Sequence, residues 1–190
     1  MGHSILALEL CLRLTEKSRL RDELHRLVAS HPTATGPREK SELVKRASEL
    51  LVENDYLFEM GCWDFFDDSE KALEDYQMWS NGMITEEGAR TRPSGFPERY
   101  GGEPRYMTFT IALLLATNRG TERALAKVCE IPQDSLWSKE SFRRVLRGLA
   151  DVDFAFVKSL VIYLIPGEED WGLTADDLKD PKFEYLRKIV

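Results

Sequence analysis

The chain has 190 residues, of which 43% are hydrophobic and 31% charged, the composition of a soluble globular protein that can bury a core. Its net charge of −7 argues against a nucleic-acid partner, because binding to phosphates requires a cationic surface. No run of about twenty apolar residues is present, so the sequence predicts no membrane-spanning helix.

The first predicted element is a strand with leucine at every second position from Leu6 to Leu14. Leu, Ala and Glu, which make up most of this segment, all favour helix. On a helix, however, these leucines would scatter around the axis, whereas on a strand they line one face. The period of two therefore predicts a half-buried strand, with Ala7, Glu9 and Cys11 between the leucines.

Two amphipathic helices and a short strand are predicted next. Apolar residues at helical spacing over 20–28 predict the first helix. The second begins at Pro37, whose missing N–H costs nothing in a first turn, and carries an apolar stripe as far as Leu51. The aromatic-rich segment 56–66 then predicts a strand.

A third helix and a loop complete the first half. Asp67 and Asp68 are N-cap candidates for this helix. Its predicted core residues are Leu73, Tyr76 and Trp79. Residues 92–105 contain repeated Pro and Gly and predict a surface loop between the two halves of the chain.

The second half repeats the layout of the first. Residues 106–117 predict a strand that is apolar on both faces and therefore central in a sheet. The remaining predicted elements are a helix at 121–129, a helix capped by Ser138, a strand at 154–165 and a short helix that begins with a capping box of Thr174 and Asp177.

This order of elements predicts an α+β fold in which amphipathic helices cover a mainly antiparallel sheet of about four strands. We expect residues 1–190 to form a single domain with two loosely similar halves, each with the order strand, helix, helix, strand. Connections made of two helices also permit parallel neighbours, so the order of the strands stays open at this point.

Three segments of the second half resemble a known family. They are the segments 106–116, 159–169 and 173–178. The second is an aliphatic strand that ends in Pro166 and is followed by two acidic residues, and the third is a helix start. Together they resemble the domain of unknown function 1517 family, most specifically over residues 106–187. The resemblance implies the fold given above and carries no established reaction and no catalytic residues.

Two acidic clusters are candidates for chemistry. The first consists of Asp64, Asp67 and Asp68 with Glu70, and the second is Glu168, Glu169 and Asp170 after the last long strand. Carboxylates bind hard cations or act as an acid and base pair. Helix capping and exposed turn charges also explain both clusters, so the sequence assigns no metal ligand, no cofactor-binding residue and no catalytic residue.

A basic pattern on the paired helices of the second half is the candidate interaction patch. Its members recur at helical spacing within an acidic protein. They are Arg119, Arg123, Lys127, Arg143, Arg144 and Arg147. A solvated helix surface, partly neutralised by Glu122, Glu130 and Glu140, is the simpler explanation of the pattern. The alternative hypothesis is a basic patch that meets an acidic protein or an anionic membrane surface.

Four tryptophans stand out in a chain of this size: Trp63, Trp79, Trp137 and Trp171. Trp79 fits the core face of the third helix, whereas Trp137 and Trp171 lie beside predicted turns. An indole near a turn serves either tertiary packing or the anchoring of a partner.

The sequence therefore predicts a non-enzymatic protein-interaction or regulatory domain whose partner is another protein. Two alternatives stay open: a metal-dependent or acid/base hydrolase that uses the two acidic clusters, and an acidic immunity-type protein that neutralises a basic partner. Three scattered cysteines do not form a disulfide framework and indicate a reducing compartment, so we predict a cytoplasmic location. The sequence does not reveal the oligomeric state.

Overall fold

The computed structural model describes residues 2–15, 19–30, 36–84, 103–167 and 171–190. The helices are α1 (Leu20–Ala29), α2 (Pro37–Glu53), α3 (Ser69–Ile84), α4 (Arg119–Cys129) and α5 (Lys139–Ala150). The strands are β1 (His3–Leu14), β2 (Phe58–Phe66), β3 (Arg105–Ala116), β4 (Val157–Ile165) and β5 (Arg187–Lys188). Short 3₁₀ turns occupy Asp55–Leu57, Gln133–Ser135, Phe154–Phe156, Asp177–Lys179 and Pro181–Phe183.

The strands form one sheet in the order β4-β3-β1-β2-β5, and every neighbouring pair is antiparallel. This confirms the predicted α+β fold, with five strands in place of four. The additional strand, β5, has only two residues, both charged and exposed, so it carries none of the alternating hydrophobicity that identifies a strand in a sequence.

Strand β1 is buried on both faces, which corrects the prediction of a half-buried strand. It lies between β3 and β2, and every residue from Ser4 to Leu12 is buried. The strand prediction was right, but the second face is also covered. On this second face, Ile5, Ala7 and Cys11 are apolar, and α3 packs over them.

The leucine face of β1 forms the larger part of the core. Four of the helices cover it, with α1, α2, α4 and α5 all contributing buried side chains. The odd-numbered residues of β3 from Met107 to Leu115 lie on this same face, as the apolar pattern predicts. Phe142, Val145, Leu146 and Leu149 of α5 are buried here, also as predicted.

The opposite face is covered by α3 and by the C-terminal segment 171–190. Tyr76 and Trp79 are buried as predicted, but Leu73 is 38% exposed, so its place in the core was wrong. Ala72 takes that place, because positions 72, 76 and 79 follow one stripe of a helix and position 73 lies about 100° away from it. Phe183 and Leu186 complete the cover.

Of the two N-cap candidates for α3, Asp68 forms the cap, and the caps predicted at Ser138 and Thr174 are also present. Asp68 Oδ1 accepts a hydrogen bond from Lys71 N at 3.0 Å, and Ser138 Oγ accepts one from Ser141 N at 3.3 Å. Thr174 and Asp177 form the reciprocal capping box, but only a 3₁₀ turn follows it. The predicted strand at 154–165 begins later, since residues 154–156 form a 3₁₀ turn.

Both halves show the order strand, helix, helix, strand, as β1-α1-α2-β2 and β3-α4-α5-β4. Of the predicted loop 92–105, residues 92–102 lie outside the described part, and Arg105 is the first residue of β3. None of the described helices combines the length and the apolar character that crossing a bilayer requires.

Gly61 provides a test of this packing. A Cβ atom at this position would lie 2.6 Å from Cε1 of Phe142 and 2.8 Å from the backbone oxygen of Glu9, so Gly61→Ala forces one of them to move. We expect a loss of about 1–3 kcal/mol in the free energy of unfolding, measured by urea denaturation. Gly167→Ala, where a Cβ meets nothing within 4 Å, is the control and should change stability by less than about 0.5 kcal/mol.

Candidate functional site

A row of polar side chains crosses the sheet beneath α3. Pairing in the sheet places Tyr163 of β4 beside Thr110 of β3, Thr110 beside Glu9 of β1, and Glu9 beside Cys62 of β2. Directly paired residues in a sheet point to the same face. The four side chains therefore form one row on the face covered by α3, within a layer that is largely apolar.

Glu9 is the most unusual member of this row. It is 1% exposed, and Oε2 accepts a hydrogen bond of 2.7 Å from the hydroxyl of Tyr185. Its second oxygen, Oε1, and the hydroxyls of Thr108 and Thr110 are buried and have no partner of normal hydrogen-bond geometry among the described residues. Buried polar groups cost folding free energy unless they are hydrogen-bonded, so the cluster of Glu9 with two threonines is unusual in this layer.

Burial controls the protonation of Glu9. Desolvation raises its pKa from the ordinary value of 4.5 to about 7, although the hydrogen bond from Tyr185 and then the hydroxyls of Thr110 and Thr108 lower it. A protonated carboxyl avoids the large cost of an unpaired buried charge. Glu9 therefore changes its charge near neutral pH, which an ordinary glutamate does not.

The thiols and phenols nearby stay protonated. Burial, followed by the charge of Glu9, raises the pKa of Cys11, of Cys62 and of Tyr185, and raises that of Tyr163 to about 12. A nucleophilic cysteine requires a lowered pKa. Cys11 and Cys62 therefore lack the electrostatic surroundings of a reactive thiol.

A groove of about 560 Å³ lies beside this row, and we call it the aromatic groove. Its lining residues are Cys62, Trp63 and Asp64 of β2, Met78 and Trp79 of α3, Trp137, Tyr163 of β4, and Lys182, Tyr185 and Arg187 of the C-terminal segment. Met78 is 65% and Tyr185 is 40% exposed. Grooves of this size and aromatic character are typical of binding sites.

Defined contacts hold the walls of the aromatic groove. The rings of Trp79 and Tyr185 meet edge to face with their centroids 6.2 Å apart. Trp63 Nε1 donates to the backbone oxygen of Leu136 at 3.3 Å. The backbone N–H of Val190 donates to the backbone oxygen of Trp137 at 2.9 Å, which fixes the C-terminal segment against this wall.

The outer edge of β2 runs along the aromatic groove. Strand β5 pairs with this edge only at Met60 and Gly61. In the part of the chain that the structure describes, no strand pairs with residues 62–66 on that side. Half of the backbone groups on an edge strand point away from the sheet, and they are available to a further strand.

Charges of both signs line the aromatic groove. Lys182 and Arg187 lie on the C-terminal side, and Arg187 Nη1 donates to the backbone oxygen of Glu184 at 2.9 Å. Asp64 lies on the β2 side. Partial desolvation and then repulsion from Asp75 raise the pKa of Asp64, although Lys71 lowers it.

The predicted basic patch is only partly a free cationic surface. Arg143 forms ion pairs with Asp55 and with Glu140, the latter at 3.0 Å, and Arg144 donates to the backbone oxygen of Lys127. The exposed members are Arg123, Lys127, Arg144 and Arg147, and the side chain of Arg119 lies outside the described residues.

Arg144 and Arg147 also line a second groove of about 550 Å³ between α4 and α5. Three carboxylates, those of Glu140, Asp151 and Asp153, line it as well. The surface therefore carries mixed charge, and its role as an interaction patch stays a prediction.

Of the two predicted acidic clusters, only the first lies within the described residues. Asp68 caps α3, Asp64 lines the aromatic groove, and Asp67 and Glu70 are exposed. The second cluster, 168–170, lies outside the described part. Within that part, no group of three or more His, Cys, Asp or Glu side chains is placed to hold a metal ion.

Sequence reasoning missed Glu9, Tyr163 and Tyr185. One signal was present for Glu9, because its neighbours on the same strand face, Ala7 and Cys11, are apolar, which indicates a covered face. No local pattern links Tyr185 to Glu9, since they are 176 positions apart. The tryptophans were noticed, but only the fold shows that Trp63, Trp79 and Trp137 share one groove.

Comparisons of the chain with protein-family models, with curated proteins and with solved structures give no significant match. The resemblance to the domain of unknown function 1517 family therefore stays a prediction.

Substitution of Glu9 tests its protonation. In the folded state its pKa lies near 7, above its ordinary value of 4.5, so the folded protein binds the extra proton and loses stability as the pH rises between these values. The loss approaches about 3 kcal/mol and levels off above pH 7. In Glu9→Gln this loss of stability should be absent when the free energy of unfolding is measured by urea denaturation at a series of pH values across that range.

The exposed Glu74→Gln on α3 is the control and should follow the wild-type dependence on pH. A wild-type and a Glu9→Gln profile that run parallel from about pH 5 to about pH 7 would show that Glu9 is ionised throughout.

Proposed function

We propose that the protein is a non-enzymatic interaction domain that binds an extended segment of a partner protein along the outer edge of β2. The observation that carries this proposal is the edge of residues 62–66 beside the aromatic groove, with which no described strand pairs on its outer side. Extended peptides bind such edges by adding a strand, with backbone hydrogen bonds for affinity and side-chain pockets for specificity.

The chain's own C-terminal segment supports this mode of binding. Arg187 and Lys188 pair with Gly61 and Met60, and the N–H of Ile189 donates to the backbone oxygen of Glu59 at 3.0 Å. The edge of β2 therefore accepts an extended segment over its first part. A partner strand would continue that pairing along 62–66.

The aromatic rings supply the side-chain contacts. Exposed Met78 and half-exposed Tyr185 present apolar surface next to Trp79. Tryptophan and tyrosine contribute most of the binding energy in many interfaces. Since alternate side chains of a strand point to one side, we expect every second residue of the bound segment to be apolar.

The cations of the aromatic groove indicate the charge of the partner segment. Lys182 and Arg187 line it, and the exposed Lys188 follows in β5. Complementary charge speeds association and fixes register. We therefore propose a segment with acidic residues between its apolar ones.

We place this binding in the cytoplasm. All three cysteines are free, with Cys11 and Cys62 buried and Cys129 half-buried. Burial raises the pKa of Cys129 to about 12, although Arg144 lowers it. Free thiols are typical of proteins in a reducing compartment. Fractionation of the native host's cells, followed by detection of the protein, tests this location.

A display library of random short peptides tests the proposed site. Selection on the whole protein should enrich peptides with alternating apolar and acidic residues. Met78→Glu should weaken binding of a selected peptide at least about tenfold in titration calorimetry, because it places a charge on the apolar wall. Leu73→Glu changes an exposed apolar residue of the same helix that does not line the groove, and should have no effect.

Two further measurements separate the possible results. N-methylation of alternate peptide amides should abolish binding at one set of positions and not at the other, as pairing with a strand edge requires. Combined reversal of Arg119, Arg123 and Arg144 to Glu should leave binding unchanged. Loss of binding in that variant, or enrichment of no peptide, would contradict the site; tolerance of every N-methyl group would indicate a ligand held by side chains alone.

A further inference from the structure

We propose that Glu9 couples binding in the aromatic groove to proton uptake, so that the groove holds its ligand more tightly at mildly acidic than at mildly alkaline pH. This inference rests on the proposed function and adds a regulation of the same site.

Tyr185 connects the buried carboxyl to the groove. Its hydroxyl donates to Glu9 at 2.7 Å, and its ring forms the groove wall against Trp79. Tyr185 is 40% exposed whereas Glu9 is 1% exposed. One side chain thus touches both the bound segment and the ionisable group below it.

Ionisation changes what Glu9 requires from its surroundings. A neutral carboxyl can donate from Oε1 to the hydroxyl of Thr108 or Thr110, and the same hydroxyls can donate to the ionised form. An ionised carboxylate is stabilised by the hydroxyls of Tyr185, Thr110 and Thr108, each of which lowers its pKa, and further by any water that reaches it. The aromatic groove adjoins this site, because Tyr185, which donates to Glu9, and Cys62, which pairs with Glu9 in the sheet, both line it.

A ligand in the groove opposes this hydration. A segment packed on Tyr185 and Trp79 excludes water from the region above Glu9 and so favours the neutral carboxyl. By linkage, a ligand that favours the protonated state must bind that state more tightly. Affinity therefore decreases as Glu9 ionises.

Other titratable and charged groups face Glu9 from the elements around it. They are Cys11 and Arg13 on β1, Glu59, Cys62 and Asp64 on β2, Tyr106 on β3, Tyr163 on β4, Lys71, Asp75 and Tyr76 on α3, and Lys182, Tyr185 and Arg187 in the C-terminal segment. Of these, Asp64 is the other groove carboxyl whose pKa is raised. Asp64→Asn is therefore the necessary control.

The first experiment uses the free protein and needs no ligand. Carbon-13 NMR of glutamate carboxyls, assigned by comparison with Glu9→Gln, should show one glutamate titrating near pH 7. Tyr185→Phe removes a hydrogen bond that favours the ionised form, so the midpoint should move to higher pH. A midpoint that does not move, or that moves down, overturns the connection through Tyr185.

The second experiment measures binding of a display-selected peptide that lacks histidine and has blocked ends. Wild-type affinity should be about fivefold lower at pH 8 than at pH 6. At both pH values, Glu9→Gln should bind the peptide with the affinity that the wild type has at pH 6. Asp64→Asn should show the same dependence of affinity on pH as the wild type.

The two proposals fail in different ways. Absence of peptide binding at every pH overturns the proposed function and this inference with it. Binding that is independent of pH in the wild type, or pH dependence that Glu9→Gln retains or Asp64→Asn removes, overturns the coupling and leaves the binding site in place.

Discussion

The burial of β1 on both faces is the constraint on which the rest of the structure depends. This strand lies between β3 and β2, and its residues are buried on both faces. Other elements must therefore cover the sheet above and below it. Its leucine face requires four helices, and its other face requires α3 with the C-terminal segment. The C-terminal segment is therefore part of the core layer, and it brings Tyr185 to Glu9.

The same constraint explains why the candidate site combines apolar walls with a buried acid. Burial of this single glutamate on the central strand outweighs the hydroxyls of Tyr185, Thr110 and Thr108, so its pKa is raised to about 7. The aromatic groove is lined by residues of α3 and of the C-terminal segment, the two parts that cover this face. The carboxyl of Glu9, whose charge changes with pH, and the aromatic groove are therefore neighbours.

The sequence predicts the regular elements well because their signals are local. Alternating leucines identify β1, caps such as Ser138 and Asp68 identify helix starts, and the apolar run after Arg105 identifies β3. These signals come from residues a few positions apart, which obey fixed helical and strand periods.

The site was less predictable because its parts come from distant segments. Trp63, Trp79 and Trp137 each fit ordinary packing, and nothing near Tyr185 indicates its carboxyl partner. Strand β5 was missed because pairing, and not hydrophobicity, makes it a strand. On the basic helices, regular spacing suggested a free cationic patch. It did not reveal that Arg143 forms ion pairs with Asp55 and Glu140.

The pairing at the centre of the sheet also has a kinetic consequence. His3 pairs with Ala116 and Leu14 with Arg105, so the two innermost strands come from opposite halves of the chain. Contacts between residues so far apart in the sequence form slowly during folding, because a long loop must close first. During synthesis on the ribosome, β1 can pair with β2, but its other edge stays unpaired until β3 is translated. We expect the nascent chain to be a substrate for molecular chaperones during that interval.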